Sequence, residues 1–300
     1  MQDATTMAKP GLQRPDHVEI FARAPQQSYD HIRVDKLTPA IGAEISGVDL
    51  NADIAPEVFA EIERAFADHL VIFFRDQHLS AERHIAFGRM FGDLHIHPAA
   101  PSEPGHPELM VIAADENSVR ANGEGWHSDV SCDAEPPLGS MLYIRECPPV
   151  GGDTLFANMY AAYDALSDRM KAYLADLRAV HDGEHVYRGL YADLGVADRP
   201  KYPRSIHPVV RTHPVTGRKA LFVNSGFTTG LVGAAPHESA AVLRHLFDHL
   251  AHPMFQCRFR WTPGTLAFWD NRCAQHHAIW DYWPARRYGN RVTIKGDVPV

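Results

Sequence analysis

The sequence has little positive charge and no long hydrophobic run, and both absences exclude classes of protein. Lysine and arginine number 29 against 37 aspartates and glutamates, which gives a formal net charge of −8 at pH 7. Because no stretch is dense in Lys or Arg, we expect no nucleic-acid partner. No apolar run approaches the roughly 18–20 residues that span a bilayer, and the polar start, Met1 to Pro25, lacks a signal-peptide core. We therefore expect a cytoplasmic protein without a membrane partner.

Cysteine is also scarce, with 4 residues and no C-x-x-C pair. Scattered cysteines of this kind are typical of small buried or half-buried side chains in a reducing compartment. Cys132 lies three residues after Asp129. A role for Cys132 as an additional metal ligand therefore stays open.

The chain reads as one domain with an arm in front of it. Residues 1–28 are predicted to form a flexible N-terminal arm, and 29–300 a single domain, since no linker, repeat or low-complexity stretch interrupts it. Helical spacing of apolar residues predicts helices that begin at Pro56 and Ser80 and helices over about 159–180 and 236–251. Alternating or buried apolar runs between turn signals predict strands at 31–35, 43–48, 70–74, 140–145, 154–157, 208–212, 220–224, 255–261, 265–269 and 290–295.

Many short strands and a few covering helices favour a β-rich α+β fold. We predict a jelly-roll sandwich, that is, a double-stranded β-helix core with flanking helices. Periodicity alone supports only a β-rich core with helices and leaves the topology open.

One short motif indicates a metal site. In a strand, residues i and i+2 point to the same side, so that His127 and Asp129 can bind one metal while Ser128 turns away. With His276 further along the chain, two imidazoles and one carboxylate would occupy one face of an octahedral Fe(II) and leave three positions open for oxygen chemistry. Arg287, eleven residues after His276, suggests an anionic cosubstrate beside the metal. The pattern predicts an iron-dependent oxygenase.

Several segments resemble one family of such enzymes. Residues 269–291 contain Trp-Asp-Asn-Arg-x-x-Gln-His and then Asp-Tyr-x-Pro-x-Arg-Arg. This stretch resembles the taurine dioxygenase family, which also includes 2,4-dichlorophenoxyacetate dioxygenase (TauD/TfdA). The resemblance covers about residues 31–298 and continues in the same order through the segments 42–49, 73–77, 91–98, 126–130, 151–154, 207–214 and 222–229.

The resemblance implies a dioxygenase that uses Fe(II), O2 and 2-oxoglutarate and releases succinate and carbon dioxide. Its implied iron ligands are His127, Asp129 and His276. The neighbouring His277 is a rival for the last position, and the family spacing after Trp269 selects His276. No protein general base is required, so no catalytic residue beyond the metal ligands is predicted.

The resemblance also implies a binding site for 2-oxoglutarate. Arg287 matches the arginine that holds the distal carboxylate, and a permanently charged planar guanidinium suits that role better than lysine would. Thr154 matches the hydroxyl that shares this carboxylate. Asp270 is expected to form the turn or to support the ligands rather than to bind the metal.

For the substrate, the resemblance implies a small organic anion. His97 and Arg291 match the positions that hold the sulfonate in taurine-oxidising relatives, and Val130 and Phe227 match positions in the pocket wall. A cation pair that points into the pocket would favour an anion. For His97 the alternative is a solvent-facing position on a strand.

The chain departs from the taurine oxidisers at three places. Ala100 stands where they have tyrosine, Gly123 where they have asparagine, and the segment 182–187 does not reproduce their aromatic wall. We therefore expect a sulfonate, sulfate ester or carboxylate that is bulkier than taurine or lacks its ammonium group. Relatives of this kind are usually dimers or tetramers, so a homo-oligomer is expected.

Two other classes of protein share parts of this pattern. Two histidines and a carboxylate also describe a catalytic zinc site, although zinc gives no reason for the Arg287 and Thr154 pair. A jelly-roll protein that only binds or stores a ligand would keep the fold without the metal, and the three filled ligand positions argue against it.

Overall fold

A computed structural model of the chain describes residues 21, 28–97, 100–121, 123–193 and 202–300. The predicted flexible arm, residues 1–28, lies almost entirely outside the described residues, so that this prediction stays open. In the described part of the chain, no helix combines the length and the apolar character that crossing a membrane requires.

Short strands make up most of the regular structure. The first nine are β1 (Arg33–Lys36), β2 (Ala43–Ser46), β3 (Val71–Phe74), β4 (Leu94–His95), β5 (Ser102–Glu103), β6 (His106–Ala114), β7 (Gly139–Glu146), β8 (Thr154–Asn158) and β9 (Arg178–Asp182). They are followed by β10 (Arg204–Pro208), β11 (Val210–Thr212), β12 (Lys219–Leu221), β13 (Thr228–Leu231), β14 (Gln256–Phe259), β15 (Thr265–Asp270), β16 (Ala274–Ala278) and β17 (Arg287–Ile294). The described helices are α1 (Pro56–His69), α2 (Ala81–Arg89), α3 (Met159–Asp164), α4 (Asp168–Leu174), α5 (Glu184–Asp193) and α6 (Pro236–Leu250).

Two sheets form the main part of the fold. The large sheet has the strand order β1-β2-β3-β15-β7-β17-β6-β5, and β4 also pairs with β17. Its pairs are antiparallel except for β2 and β3, which run parallel. A second sheet has the order β14-β8-β16. Smaller sheets of β10-β9-β13 and β11-β12 complete the fold, which is β-rich with few helices as predicted.

Consecutive residues along a strand of the large sheet pack into different hydrophobic cores, because successive side chains of a strand point to opposite faces. Phe73 and Trp269 pack with Phe156 and Phe259 of the second sheet, and the rings of Phe73 and Phe259 stack 3.7 Å apart. On the other face, Phe74 and Phe268 pack with residues of α1 and α2. The large sheet is therefore buried on both faces, by helices on one side and by the second sheet on the other.

The helices that cover the sheet begin at signals that are readable in the sequence. Pro56 occupies the first turn of α1, where its missing N–H is not needed, and Phe66 of this helix stacks 3.8 Å from Phe268. Ser80 caps α2 by accepting a hydrogen bond from the backbone N–H of Arg83. Both helices begin where the sequence predicts.

One predicted helix is wrong. The stretch 159–180 forms α3, then α4, and then strand β9. Ser167 begins a new helix because its side chain accepts a hydrogen bond from the N–H of Met170. Further on, Ala179 and His181 are buried while their neighbours are more exposed, which is the period of a strand.

Other differences concern strands without strong local signals. The predicted strand 208–212 is divided between β10 and β11, and the one at 255–261 begins with a 3-10 turn, Pro253–Phe255. The sequence does not predict β4, β5, β6, β9, β13, β16 or α5. Strand β16 has the sequence AQHHA, with no β-branched residue, and pairs with β8 along its whole length.

Candidate metal centre and its pocket

A cavity of about 300 Å³ lies between the large sheet and the second sheet. Leu142, Arg287 and Arg291 line it from the large sheet, whereas Thr154 and His276 line it from the second. All nine residues proposed from the sequence contribute to its wall: His97, His127, Asp129, Val130, Thr154, Phe227, His276, Arg287 and Arg291. The fold therefore brings together residues that are up to 194 positions apart in the chain, which is the separation of His97 and Arg291.

The two histidines of the predicted triad are joined by their backbones. His127 and His276 form an isolated antiparallel bridge, in which His127 N–H donates to the His276 carbonyl at 3.1 Å and His276 N–H donates back at 2.9 Å. Their Nε2 atoms lie 3.9 and 4.0 Å from Oδ1 of Asp129. One ligand atom of each residue lies within 4.8 Å of the other two, a spacing that could hold a metal ion.

The sequence predicts that the His127-Ser128-Asp129 motif lies on a strand, but the motif does not form a regular strand in the structure. His127 forms only the single bridge, and the chain then turns, with Val130 at a left-handed φ of 47°. A positive φ is strained for a β-branched residue. Ser128 nevertheless turns away from the triad, and its hydroxyl donates to the Asn271 carbonyl at 2.6 Å.

The neighbouring His277 faces away from Asp129. Its ring packs edge-on against Trp126, with the ring centroids 5.7 Å apart. Among the described residues, His276 but not His277 joins the cluster with His127 and Asp129. The alternation of side chains along β16 explains this difference.

The protonation states in the triad suit a divalent metal. Nδ1 of His127 lies 2.9 Å from the Gly125 carbonyl, which can only accept, so Nδ1 carries the proton and Nε2 presents a lone pair. Burial is the largest influence that lowers the pKa of His127 and of His276. Although burial opposes it, the charge of Arg291 and the hydrogen bond from Ser140 hold the pKa of Asp129 well below its usual value. Two neutral imidazoles and one carboxylate are the donor set of an Fe(II) oxygenase site.

Arg287 is a buried cation at one end of the cavity. Burial lowers its pKa from the usual value, and no carboxylate in the described part of the chain lies within ion-pair distance. Its Nε has no hydrogen-bond partner among the described residues. Because a buried charge is costly without a counterion, this end of the cavity is suited to an anionic ligand.

Thr154 lies in the same cavity with its hydroxyl held by an indole. Trp261 Nε1 donates to Thr154 Oγ1 at 3.0 Å, and the guanidinium of Arg287 lies 5.4 Å from the centre of the Trp261 ring. Since the hydroxyl accepts from Trp261, its own proton is available for an acceptor in the cavity. Trp261 is a site residue that the sequence did not reveal.

His97 and Arg291 both line the cavity, but they are not the two cations that the sequence predicts, because only Arg291 is charged near pH 7. Burial, followed by the charges of Arg291 and His95, lowers the pKa of His97 to about 4. His97 is therefore neutral near pH 7, and it can offer a hydrogen bond without a charge. Arg291 supplies the positive charge, and its Nη1 lies 2.7 Å from Oδ1 of Asp129.

The walls around these residues are largely apolar. Val130 and Phe227 lie in one buried cluster with Tyr187 of α5, and the Tyr187 ring is 5.7 Å from His97. Segment 182–187 thus supplies an aromatic ring to the wall after all, which corrects the expectation from the sequence. Met110 and Ile112 of β6 also line the cavity, and they were not predicted because β6 itself was not predicted.

The two departures from taurine oxidisers, Ala100 and Gly123, both line the cavity. Gly123 has a φ of 91°, and a Cβ there would lie 3.4 Å from Cε1 of the His127 ring. Glycine therefore allows the backbone to pass close to the metal centre. With only a methyl group at Ala100, the cavity keeps space that larger side chains would fill.

A second cluster, His213, Asp270 and Cys273, also has metal-like spacing. Its groups are already paired, because Arg272 donates twice to the Asp270 carboxylate, at 2.9 and 2.7 Å, and His213 Nε2 lies 3.0 Å from it. Asp270 is thus a buried structural group, as expected. Cys132 lies outside both clusters, and burial raises the pKa of its thiol to about 12, which disfavours the thiolate that binds metals.

The chain is similar to known proteins over most of its length. The model of the family described as "Taurine catabolism dioxygenase TauD, TfdA family" matches residues 33–293. An α-ketoglutarate-dependent sulfonate dioxygenase of Saccharomyces cerevisiae is 32% identical over 295 residues, which are 94% of this chain and 70% of the relative. An α-ketoglutarate-dependent sulfate ester dioxygenase of Pseudomonas putida is 35% identical over 269 residues, 87% of this chain and 88% of the relative. The crystal structure of a taurine dioxygenase from Burkholderia xenovorans superposes with a TM-score of 0.79 at 38% identity, covering 90% of this chain and 91% of the other.

Proposed function

Since the chain belongs to the TauD/TfdA family and is an Fe(II)- and 2-oxoglutarate-dependent dioxygenase, we propose that it oxidises an organic anion bulkier than taurine. The observation that carries this proposal is the cavity that joins the His127–Asp129–His276 cluster to Arg287, a buried arginine with no carboxylate partner among the described residues. A metal ligand set and an anion site in one cavity meet the two requirements of this chemistry.

His127, Asp129 and His276 would hold the iron. Iron held there would supply the oxygen chemistry that oxidises a substrate C–H bond and converts the cosubstrate 2-oxoglutarate to succinate and carbon dioxide. Phe156, Trp269 and Leu142 give the cavity apolar walls beside the cluster. Apolar walls favour the exclusion of water once the ligands are bound. No side chain is assigned as a general base.

Arg287 and Thr154 would bind the distal carboxylate of the cosubstrate 2-oxoglutarate. In the part of the chain that the structure describes, the buried guanidinium has no carboxylate partner. The Thr154 hydroxyl has a proton to donate once it has accepted from Trp261. A charged fork and a hydroxyl suit the two oxygens of one carboxylate.

The substrate anion would bind to Arg291 and His97, with its remaining atoms against Val130 and Phe227. Since His97 is neutral, Arg291 is the charged one of these two residues, and its charge would be shared between the anion and the Asp129 carboxylate. The small side chains at Ala100 and Gly123 leave room for a larger body than that of taurine. Hydroxylation beside a sulfonate sulfur gives an adduct that releases sulfite and leaves an aldehyde. A sulfate ester or an aryloxyalkanoate would break down after hydroxylation in the same manner.

A substrate panel tests this proposal. Taurine, longer alkanesulfonates, alkyl sulfates and aryloxyalkanoates are compared by oxygen uptake and succinate yield at a fixed 2-oxoglutarate concentration. We expect higher kcat/KM for the bulkier anions, and taurine as the best substrate would contradict the proposal.

The two alternative classes give different results in one spectroscopic experiment. Fe(II) with 2-oxoglutarate, in the absence of oxygen, should give a weak visible charge-transfer band that His127→Ala abolishes. A zinc hydrolase would show no such band and would act without oxygen. A binding protein would produce no succinate.

We also propose that the large sheet and the second sheet form a double-stranded β-helix, the jelly roll expected from the sequence. Support comes from the core that these sheets share and from the position of the metal centre between them. That residues 29–300 form one domain is likewise a proposal, supported by the two cores that share the large sheet. A dimer or tetramer and a cytoplasmic location stay predictions.

A further inference from the structure

The turn between β15 and β16 contains a buried amide whose orientation is fixed. Oδ1 of Asn271 lies 3.1 Å from Nε1 of Trp269 and 3.2 Å from the backbone N of Asp129. Both of these groups can only donate hydrogen bonds, so the atom between them must be the amide oxygen. The NH2 group of Asn271 therefore points the other way, towards Ser140 of β7.

This orientation decides where the proton of Ser140 lies. Nδ2 of Asn271 donates to Ser140 Oγ at 3.2 Å, so the serine oxygen is already an acceptor on that side. Ser140 Oγ lies 2.7 Å from Oδ2 of Asp129, and an ionised carboxylate only accepts. The hydroxyl proton is thus directed to Oδ2. Ser140 is fully buried, which removes water as a competitor.

The other carboxylate oxygen of Asp129 faces the histidines and accepts a hydrogen bond from Arg291 Nη1 at 2.7 Å. Oδ1 lies 3.9 Å from Nε2 of His127 and 4.0 Å from Nε2 of His276, whereas Oδ2 is occupied by Ser140. We propose that Ser140, with its proton directed by Asn271, is a positioning residue that makes Asp129 a ligand through one oxygen only. The inference rests on the proposed metal role of Asp129.

The number of oxygens that Asp129 offers matters for the reaction. Three protein ligands on one face of an octahedral ion leave three positions for other ligands. These positions would have to stay available to the cosubstrate and to oxygen. A carboxylate that bound through both oxygens would occupy one of these positions. A hydrogen bond to Oδ2 opposes that change and also holds the carboxylate in its orientation.

The test compares Ser140→Ala with Ser140→Thr, which keeps a hydroxyl. Mn(II) is the probe, and its affinity for the metal-free full chain is measured by calorimetric titration. We expect Ser140→Ala to weaken Mn(II) binding by roughly 10–100-fold, the usual loss when a group that supports a metal ligand is removed. The affinity of the Mn(II)-saturated variant for 2-oxoglutarate should also fall, although Arg287 and Thr154 are unchanged. Ser140→Thr should restore much of both affinities.

A matched control separates positioning from general stability. Ser239 is also a buried serine, and its hydroxyl accepts from the N–H of Leu231 at 2.8 Å, outside the residues that line the cavity. Ser239→Ala should lower the thermal unfolding temperature about as much as Ser140→Ala and leave Mn(II) affinity unchanged. This comparison stands even if the extra methyl group of Ser140→Thr prevents folding.

Each of the other possible results of these titrations contradicts a specific part of the proposal. Equal Mn(II) affinity in wild type and Ser140→Ala would overturn the positioning role. Weaker Mn(II) binding with unchanged 2-oxoglutarate affinity would overturn the one-oxygen statement, since Ser140 would then only strengthen the ligand. Failure of the wild-type chain to bind Mn(II) would contradict the proposed function itself, and is thus distinguishable from both.

Discussion

Arg291 Nη1 lies 2.7 Å from Oδ1 of Asp129, the carboxylate oxygen that also faces His127 and His276. Both side chains are largely buried, so the guanidinium acts on the carboxylate with little screening by water. Arg291 therefore borders the metal centre on one side and the substrate end of the cavity on the other. A change at this position should affect the anion and the carboxylate, but not the proposed 2-oxoglutarate site at Arg287 and Thr154.

Replacing the guanidinium should weaken substrate binding selectively. For Arg291→Gln we expect the KM for the anionic substrate to rise about 10–100-fold, because the site loses a charged hydrogen-bond donor worth roughly 1.5–3 kcal/mol. The KM for 2-oxoglutarate should change much less, since Arg287 and Thr154 are untouched. Steady-state kinetics at saturating Fe(II) measures both constants. Arg291→Lys keeps the charge without the planar fork and should lie in between; equal increases in both KM values would count against the assignment.

The other end of the cavity should show the opposite selectivity. Thr154→Val keeps the shape of the side chain but removes the hydroxyl that accepts from Trp261 Nε1. We expect the KM for 2-oxoglutarate to rise about tenfold, which corresponds to roughly 1.4 kcal/mol, with little change in the KM for the substrate. Oxygen uptake at increasing concentrations of the keto acid provides the measurement.

Thr265→Val is a suitable control for that variant. Thr265 is also buried and hydroxyl-bonded, to Thr262 at 2.9 Å, but it does not line the cavity. Thr265→Val should lower the free energy of unfolding without changing the KM for 2-oxoglutarate or the KM for the substrate. If both threonine variants raised the KM for 2-oxoglutarate equally, the effect would be structural, and Thr154 would lose its proposed role.

The side chains that meet in the cavity were predictable from the sequence. The residues that hold those side chains in position, such as Ser140, were not. His127, Asp129, His276 and Arg287 belong to motifs whose spacing implies a shared metal and an anion. Ser140, in contrast, resembles any small residue of a buried strand. Its position beside Asp129 depends on the pairing of β7 with β15, a contact between distant segments that no local pattern describes.

The errors in the predicted elements have a similar origin. The stretch 159–180 is rich in residues that favour helices, and only Ser167 marks the break between α3 and α4. Strand β16 contains alanine, glutamine and histidine, which have no strong β preference, and it forms because β8 provides a partner along its whole length. Tertiary pairing therefore formed β9 and β16 against local propensity, whereas the local cap at Ser167 separated α3 from α4.

Filling the space beside Ala100 should change substrate preference. Ala100→Tyr places a phenol ring where the cavity wall now has a methyl group, and it restores the residue type of the taurine oxidisers. We expect kcat/KM for the bulkier anions to fall at least tenfold relative to that for taurine, since a large side chain excludes large ligands more than small ones. The ratio is measured in a competition assay with both substrates present. An unchanged ratio would show that the body of the substrate does not extend towards residue 100.

Stability should fall in mild acid because of buried histidines. His84 is fully buried, its Nε2 donates to the Met141 carbonyl at 3.2 Å, and burial lowers its pKa to about 3. In the unfolded chain this group titrates near 6.5, so between pH 6.5 and 3 the unfolded state binds a proton that the folded state does not. The stabilising contribution is therefore complete above pH 6.5 and decreases as the pH falls, by about 1.4 kcal/mol per pH unit.

His84→Gln tests this dependence, because glutamine keeps a donor for the Met141 carbonyl and does not titrate. Between about pH 7.5 and 5.0 the wild type should lose about 2 kcal/mol more of its free energy of unfolding than the variant, as one fewer proton is taken up when the variant unfolds. Urea denaturation of the metal-free protein at the two pH values measures the difference. His181 is buried as well, and its pKa is also lowered to about 3, but it is present in both proteins and cancels in the comparison. Parallel pH profiles for wild type and variant would mean that His84 accepts a proton in the folded state as readily as in the unfolded chain.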